Sequence, residues 1–152
     1  MNTDQPDTAR VAVVTGAGDG IGLATAQRLA RDFEHVVIAD VRPAAAFARA
    51  AELGQRHLGV ACDVTNESDV VGLFDAVLQR FGRLDVLVNN AGISQRSLAV
   101  DTDFSVYQKM IDIDLLGPIA LTQALLKRMV ARKTGQIVMI SSLAGKVGSP
   151  LR

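Results

Sequence analysis

The sequence predicts a doubly wound α/β fold, a parallel sheet covered by helices on both faces, and three observations carry that expectation. Short apolar runs of strand type alternate strictly with longer stretches of helical periodicity, the order that right-handed strand-helix-strand crossovers require. The first apolar run breaks into glycines and re-emerges as a helix. Polar or small residues collect at the carboxyl ends of the runs, the edge of such a sheet that faces a ligand crevice.

Residues 10–15 form a continuous apolar run, the pattern of a parallel strand covered on both sides. A helix is expected over about 20–33, with Gly22, Ala26, Leu29 and Phe33 as the stripe laid on the sheet. Val36–Asp40 is the second strand, and Pro43 opens an alanine-rich helix that stops at Gly54, since proline suits a first turn and glycine the residue past the end. His57–Cys62 is the third strand, closed by Asp63. Asn66 and Asp69 are expected to cap the next helix, whose Val70, Leu73, Phe74, Val77, Leu78 and Phe81 mark an apolar face before Gly82. Leu84–Val88 is the fourth strand, a loop covers 89–101, a long helical region reaches about Lys133, and Gln136–Ile140 is the fifth strand. No repeat or linker divides the chain, so the expectation is a flexible tail over 1–9 and a single domain over 10–152.

Composition narrows the function classes. The 152 residues are 49% hydrophobic, enough for a core of useful size. Sixteen basic residues balance sixteen acidic ones, so no net field draws the protein to nucleic acid or anionic lipid. The single cysteine, Cys62, excludes an intrachain disulfide and a thiol-rich metal site, and no metal site is expected. No apolar run reaches membrane-spanning length and no secretory signal is evident, which fits a cytoplasmic protein without a membrane partner.

The glycine stretch reads Thr15-Gly16-Ala17-Gly18-Asp19-Gly20-Ile21-Gly22. Its spacing is T-G-x-x-x-G-x-G, not G-x-G-x-x-G, and no Gly-Lys-Ser/Thr follows as a P-loop would need. A turn of this kind brings backbone N–H groups close to a phosphate; the plainer alternative is an ordinary strand-to-helix turn. Asp40 ends the second strand eighteen residues past Gly22, where a carboxylate accepts from the adenosine ribose hydroxyls and repels a 2′-phosphate. This favours NAD over NADP. Arg42 keeps the second cofactor open, since it could turn toward a phosphate, and Asp40 could instead cap the helix that starts at Pro43.

The ordered motifs Thr15-Gly16-x-x-x-Gly20-Ile21-Gly22, Asp63-Val64, Asn89-Asn90-Ala91-Gly92 and Gly135-x-Ile-Val-x-Ile-Ser-Ser142 resemble those of the short-chain dehydrogenase/reductase family. The resemblance spans nearly the whole chain and implies a Rossmann-like fold and an NAD(P)-dependent oxidoreductase that passes a hydride between cofactor and a small alcohol or carbonyl substrate. It implies that the turn, with Gly16, Asp19, Gly20, Ile21 and Gly22, holds the pyrophosphate. Asp63 and Val64 would lie at the adenine, and Asn90, Ala91 and Gly92 on the nicotinamide-ribose side. Ser142 would hold the substrate oxygen. A homo-oligomer is implied for the complete enzyme. The loop 92–98 and the end 145–150 are similar to the dehydrogenase/reductase member 7 branch.

Two departures stand out. Where the family carries an asparagine that helps a proton relay, this chain has Asp114, in Ile113-Asp114-Leu115-Leu116-Gly117-Pro118. A carboxylate accepts hydrogen bonds but lacks the amide donor, while Pro118 cannot donate to the carbonyl of residue 114. The family's acid/base pair, Tyr-x-x-x-Lys, is expected near position 155, past Arg152, and the only tyrosine, Tyr107, precedes the serine. The sequence is therefore read as a sheet truncated before its last strands, supplying the cofactor half of an enzyme. The alternative is a catalytically inactive nucleotide-binding fragment or partner.

Overall fold

A computed structural model describes residues 9–148. Five strands, β1 (Val11–Thr15), β2 (His35–Asp40), β3 (Leu58–Ala61), β4 (Val86–Asn89) and β5 (Gln136–Met139), form one sheet in the order β3-β2-β1-β4-β5. Every pairing is parallel. The order reverses direction at β1, which lies between β2 and β4, so a crevice opens beyond the carboxyl ends of β1 and β4.

The alternation of side chains along buried strands places a core on each face. Val11, Val13, Val37, Ala39 and Leu87 point to one side and pack with Leu73 and Val77 of α3 (Glu67–Phe81) and Leu121 and Leu125 of α5 (Gly117–Arg132). Ala12, Val14, Val36, Ile38, Val86 and Val88 point to the other and meet Ala26 of α1 (Gly20–Leu29) and Ala46 and Ala50 of α2 (Pro43–Leu53). The small residues of α2 permit close approach: a Cβ on Gly59 of β3 would stand 2.6 Å from the carbonyl oxygen of Ala46.

The element boundaries differ from the sequence expectation in physically clear ways. α1 stops at Leu29, four residues early, although Phe33 still packs on the second core. Asn66 caps α3 as expected, its side chain accepting from the N–H of Ser68 and Asp69. Asp69 does not cap; its carboxylate accepts from the Asp63 N–H at 2.9 Å and pins the end of β3 to α3. The long region before Lys133 is three pieces: α4 (Phe104–Ile111), a π-helical segment over Asp112–Leu116, and α5. Gly117 N–H reaches back to the Asp112 carbonyl, an i to i+5 bond, and Pro118 follows with no N–H to give. The sequence-predicted tail lies almost entirely outside the described residues.

Candidate functional site

A cavity of about 690 Å³ opens at the carboxyl edge of the sheet, lined by Gly16, Asp19, Gly20, Ile21 and Gly22 from the first turn, Asp40 from β2, Asp63 and Val64 after β3, and Asn90, Ala91 and Gly92 after β4. All eleven residues singled out in the sequence as cofactor-binding candidates share this one wall.

The glycines have different reasons to be glycine. At Gly16 a Cβ would stand 2.7 Å from the Ala91 Cα, and at Gly22 it would stand 2.3 Å from the Gly16 carbonyl oxygen and 2.4 Å from Asn90 Nδ2. At Gly18 it would strike Asp40 Oδ2 at 2.6 Å. In each case the protein's own atoms fill the space a side chain would need. Gly20 differs: nothing lies within 4 Å of its Cβ position, although its φ of +55° is left-handed like that of Gly16 at +62°. There the left-handed backbone disfavours a side chain and open space remains beside the start of α1, whose first N–H groups have no partner within the helix. One of them, that of Gly20, is taken by Asp19 Oδ1 at 2.7 Å.

Hydrogen bonds clamp β1 to the segment after β4. Thr15 Oγ1 accepts from the N–H of both Asn90 and Ala91 at 3.1 Å, and Asn90 Nδ2 donates to the Thr15 carbonyl at 2.9 Å. The Asn-Asn-Ala-Gly stretch thus fixes the cavity floor. Asn89, buried at 3% exposure, turns the other way and donates to Thr122 Oγ1.

Asp40 is 4% exposed, and its carboxylate accepts from the N–H of Gly18 and of Arg42, both at 2.9 Å, and from Arg42 Nε at 3.0 Å. Burial alone would raise its pKa, but the hydrogen bonds from Arg42 and Gly18 hold it below the usual carboxylate value. It does not cap α2, whose N-cap residue Arg42 makes no side-chain cap bond. Cys62 also lines the cavity, with its thiol pushed up to about 12 by burial, so it stays a neutral, unreactive wall group.

The two catalytic candidates stand outside this lining. Asp114 lies in the π-helical segment, and its Oδ1 accepts from the Ile93 N–H at 2.9 Å, tying the loop after β4 to the helix. Ser142 is exposed past the end of β5, and its Oγ accepts from the Ala144 N–H at 3.1 Å. Sequence reasoning missed Lys109 and Ile113, which reach the cavity from α4 and the π-helical segment. Their i, i+4 spacing was the available signal, but loop and helix could not be docked on the sheet from periodicity alone. Among the described residues no group of histidine, cysteine and carboxylate side chains could hold a metal ion.

The model of the short chain dehydrogenase family matches residues 10–152. The chain belongs to the short-chain dehydrogenase/reductase family. It is 41% identical to a 3-oxoacyl-[acyl-carrier-protein] reductase of Synechocystis, covering 94% of this chain and 60% of that one. It is 45% identical to cis-4-hydroxycyclohexanecarboxylate dehydrogenase of Sinomonas cyclohexanicum, covering 91% and 57%. Human dehydrogenase/reductase SDR family member 7 is 38% identical, covering 95% and 44%. Among solved structures, a 3-ketoacyl-(acyl-carrier-protein) reductase of Brucella melitensis complexed with NADH superposes with a TM-score of 0.88 at 33% identity, covering 93% of this chain and 61% of that one. An NAD+-bound xylitol dehydrogenase superposes with a TM-score of 0.87 at 33% identity, covering 93% and 56%. This chain thus spans roughly half of the length of the relatives it matches.

Proposed function

We propose that this short-chain dehydrogenase chain binds NAD(H) in the cavity above β1 and β4 and forms the cofactor half of an enzyme acting on a small alcohol or carbonyl compound. The observation that carries this reading is the convergence of the glycine turn, Asp40, Asp63-Val64 and Asn90-Ala91-Gly92 on one cavity. The open space at Gly20, beside the N-terminus of α1, suits the pyrophosphate. Asp63 and Val64 flank the adenine. The nicotinamide ring, when bound, gives or takes the hydride.

One carboxylate favours NAD over NADP. Asp40, held charged by its hydrogen bonds, lines the cavity at the end of β2 and opposes the extra charge of a 2′-phosphate. Ser142 polarises the substrate oxygen in this reading, and Asp114 holds the loop after β4 and takes part in proton relay beside the helix opened at Pro118. The complete enzyme is a homo-oligomer in a reducing compartment.

Titration of the chain with NADH and with NADPH, read by nicotinamide fluorescence, tests the cofactor part. Saturable NADH binding that is at least about tenfold tighter than NADPH binding is expected, as is loss of that preference in Asp40→Ala. Equal affinities, or an Asp40→Ala variant with unchanged preference, would overturn the NAD reading.

A further inference from the structure

The Asp40 carboxylate has no acceptor site left. A carboxylate offers about four lone-pair positions. Here Oδ1 takes Arg42 N–H at 2.9 Å and Arg42 Nε at 3.0 Å, and Oδ2 takes Gly18 N–H at 2.9 Å and Arg42 Nη2 at 3.4 Å. Two of these donors are backbone groups fixed by the glycine turn and the end of β2. The other two are the fork of one guanidinium, on a side chain that is 57% exposed.

A vicinal diol brings two O–H donors to one carboxylate, the same number that the Arg42 fork supplies. We infer that the Arg42 guanidinium is a built-in competitor for the ribose subsite: it occupies the two Asp40 positions that the adenosine ribose hydroxyls need, and it swings out when the nucleotide enters. The inference rests on the NAD reading above and adds an exchange step to it. The exchange conserves hydrogen bonds at Asp40, so a ligand with only one ribose hydroxyl leaves one position vacant. It also has a destination for the released cation, because Asp19 lies close enough to Arg42 to act on its charge, and both residues line the cavity.

Arg42 therefore sets cofactor affinity by subtraction. Removing the fork leaves two positions on the buried Asp40 carboxylate open to the ribose hydroxyls, so NADH binding should tighten by roughly two- to fivefold. Calorimetric titration of the full chain with NADH, and with the analogue whose adenosine ribose lacks the 2′-hydroxyl, measures this. Arg42→Met is expected to lower the Kd for NADH by that factor, with a smaller gain for the deoxy analogue. Arg42→Gln carries the same expectation, and a thermal melt confirms that either variant is folded. If wild type binds NADH and both variants bind it equally or more weakly, Arg42 is no competitor and the inference falls alone. If wild type shows no saturable NADH binding, the NAD reading falls and takes the inference with it.

Discussion

At the scale of single residues, the histidine at the far end of the sheet from the cavity makes a pH-dependent contribution. His57 is 8% exposed; its Nδ1 accepts from the Val36 N–H at 3.0 Å, and Arg56 Nε lies 3.2 Å from its Nε2. Burial lowers its pKa from the ordinary value, and the neighbouring charges of Arg56 and His35 lower it further. A doubly protonated ring would lose the Val36 bond, since Nδ1 could no longer accept from that N–H, and would set a positive charge beside the Arg56 guanidinium. The folded state thus binds this proton less readily than the unfolded chain, whose histidine titrates near 6.5. Stability from His57 is fully present above about pH 6.5 and is lost as pH falls below it toward the folded-state value. Thermal melts between pH 7.5 and 5 should show a falling midpoint in wild type, by roughly 2–4 °C per kcal/mol lost. The slope should flatten in His57→Gln. An unchanged slope in that variant would remove His57 as the cause.

At the scale of elements, the first turn and α1 depend on two glycines in opposite ways. An added methyl at Gly22 meets the Gly16 carbonyl and Asn90 Nδ2, both part of the clamp between β1 and the segment after β4. Gly22→Ala is expected to cost about 1–3 kcal/mol and to abolish NADH binding, because the clamp and the cavity floor must separate. An alanine at Gly20 meets nothing and carries only backbone strain at φ +55°, about 1 kcal/mol. Denaturant titration of the two variants should rank Gly22→Ala as the more damaging; the reverse order would contradict the close packing. The glycine pattern was legible in the sequence. Which glycine faces a neighbour and which faces open space was not, because that depends on strands far apart in the chain. The π-helical segment shows the same division: Pro118 announced a break, but only packing of Gly117 against Val64 and the bond from Ile93 to Asp114 decided its form.

At the scale of the whole molecule, β5 is a terminal strand of the sheet, pairing with β4 on one side. Met139 and Ile140 are 54% and 45% exposed, and Leu143 and Val147 beyond them are exposed as well. An apolar strand edge in this state is a template for pairing with another chain. Light scattering across a concentration series should therefore show self-association of the 152-residue chain that rises with concentration. A monomer throughout would mean the edge is protected by something other than its own chemistry. No helix among the described residues is long and apolar enough to cross a membrane.

The sequence by itself determined the strand-helix alternation, the parallel sheet, the family and eleven of the residues that line the cavity, because those rest on local periodicity and on short motifs whose backbone demands are local. It also placed Asp40 at the right strand end. Only the tertiary structure decided what Asp40 is bonded to, why Gly18 is a glycine, that Asp69 holds β3 instead of capping α3, and that Lys109 and Ile113 reach the cavity. The physical reason is common to all four. Each depends on the distance between groups well separated along the chain or on a choice among donors competing for one carboxylate, and packing sets those distances after the local elements have formed.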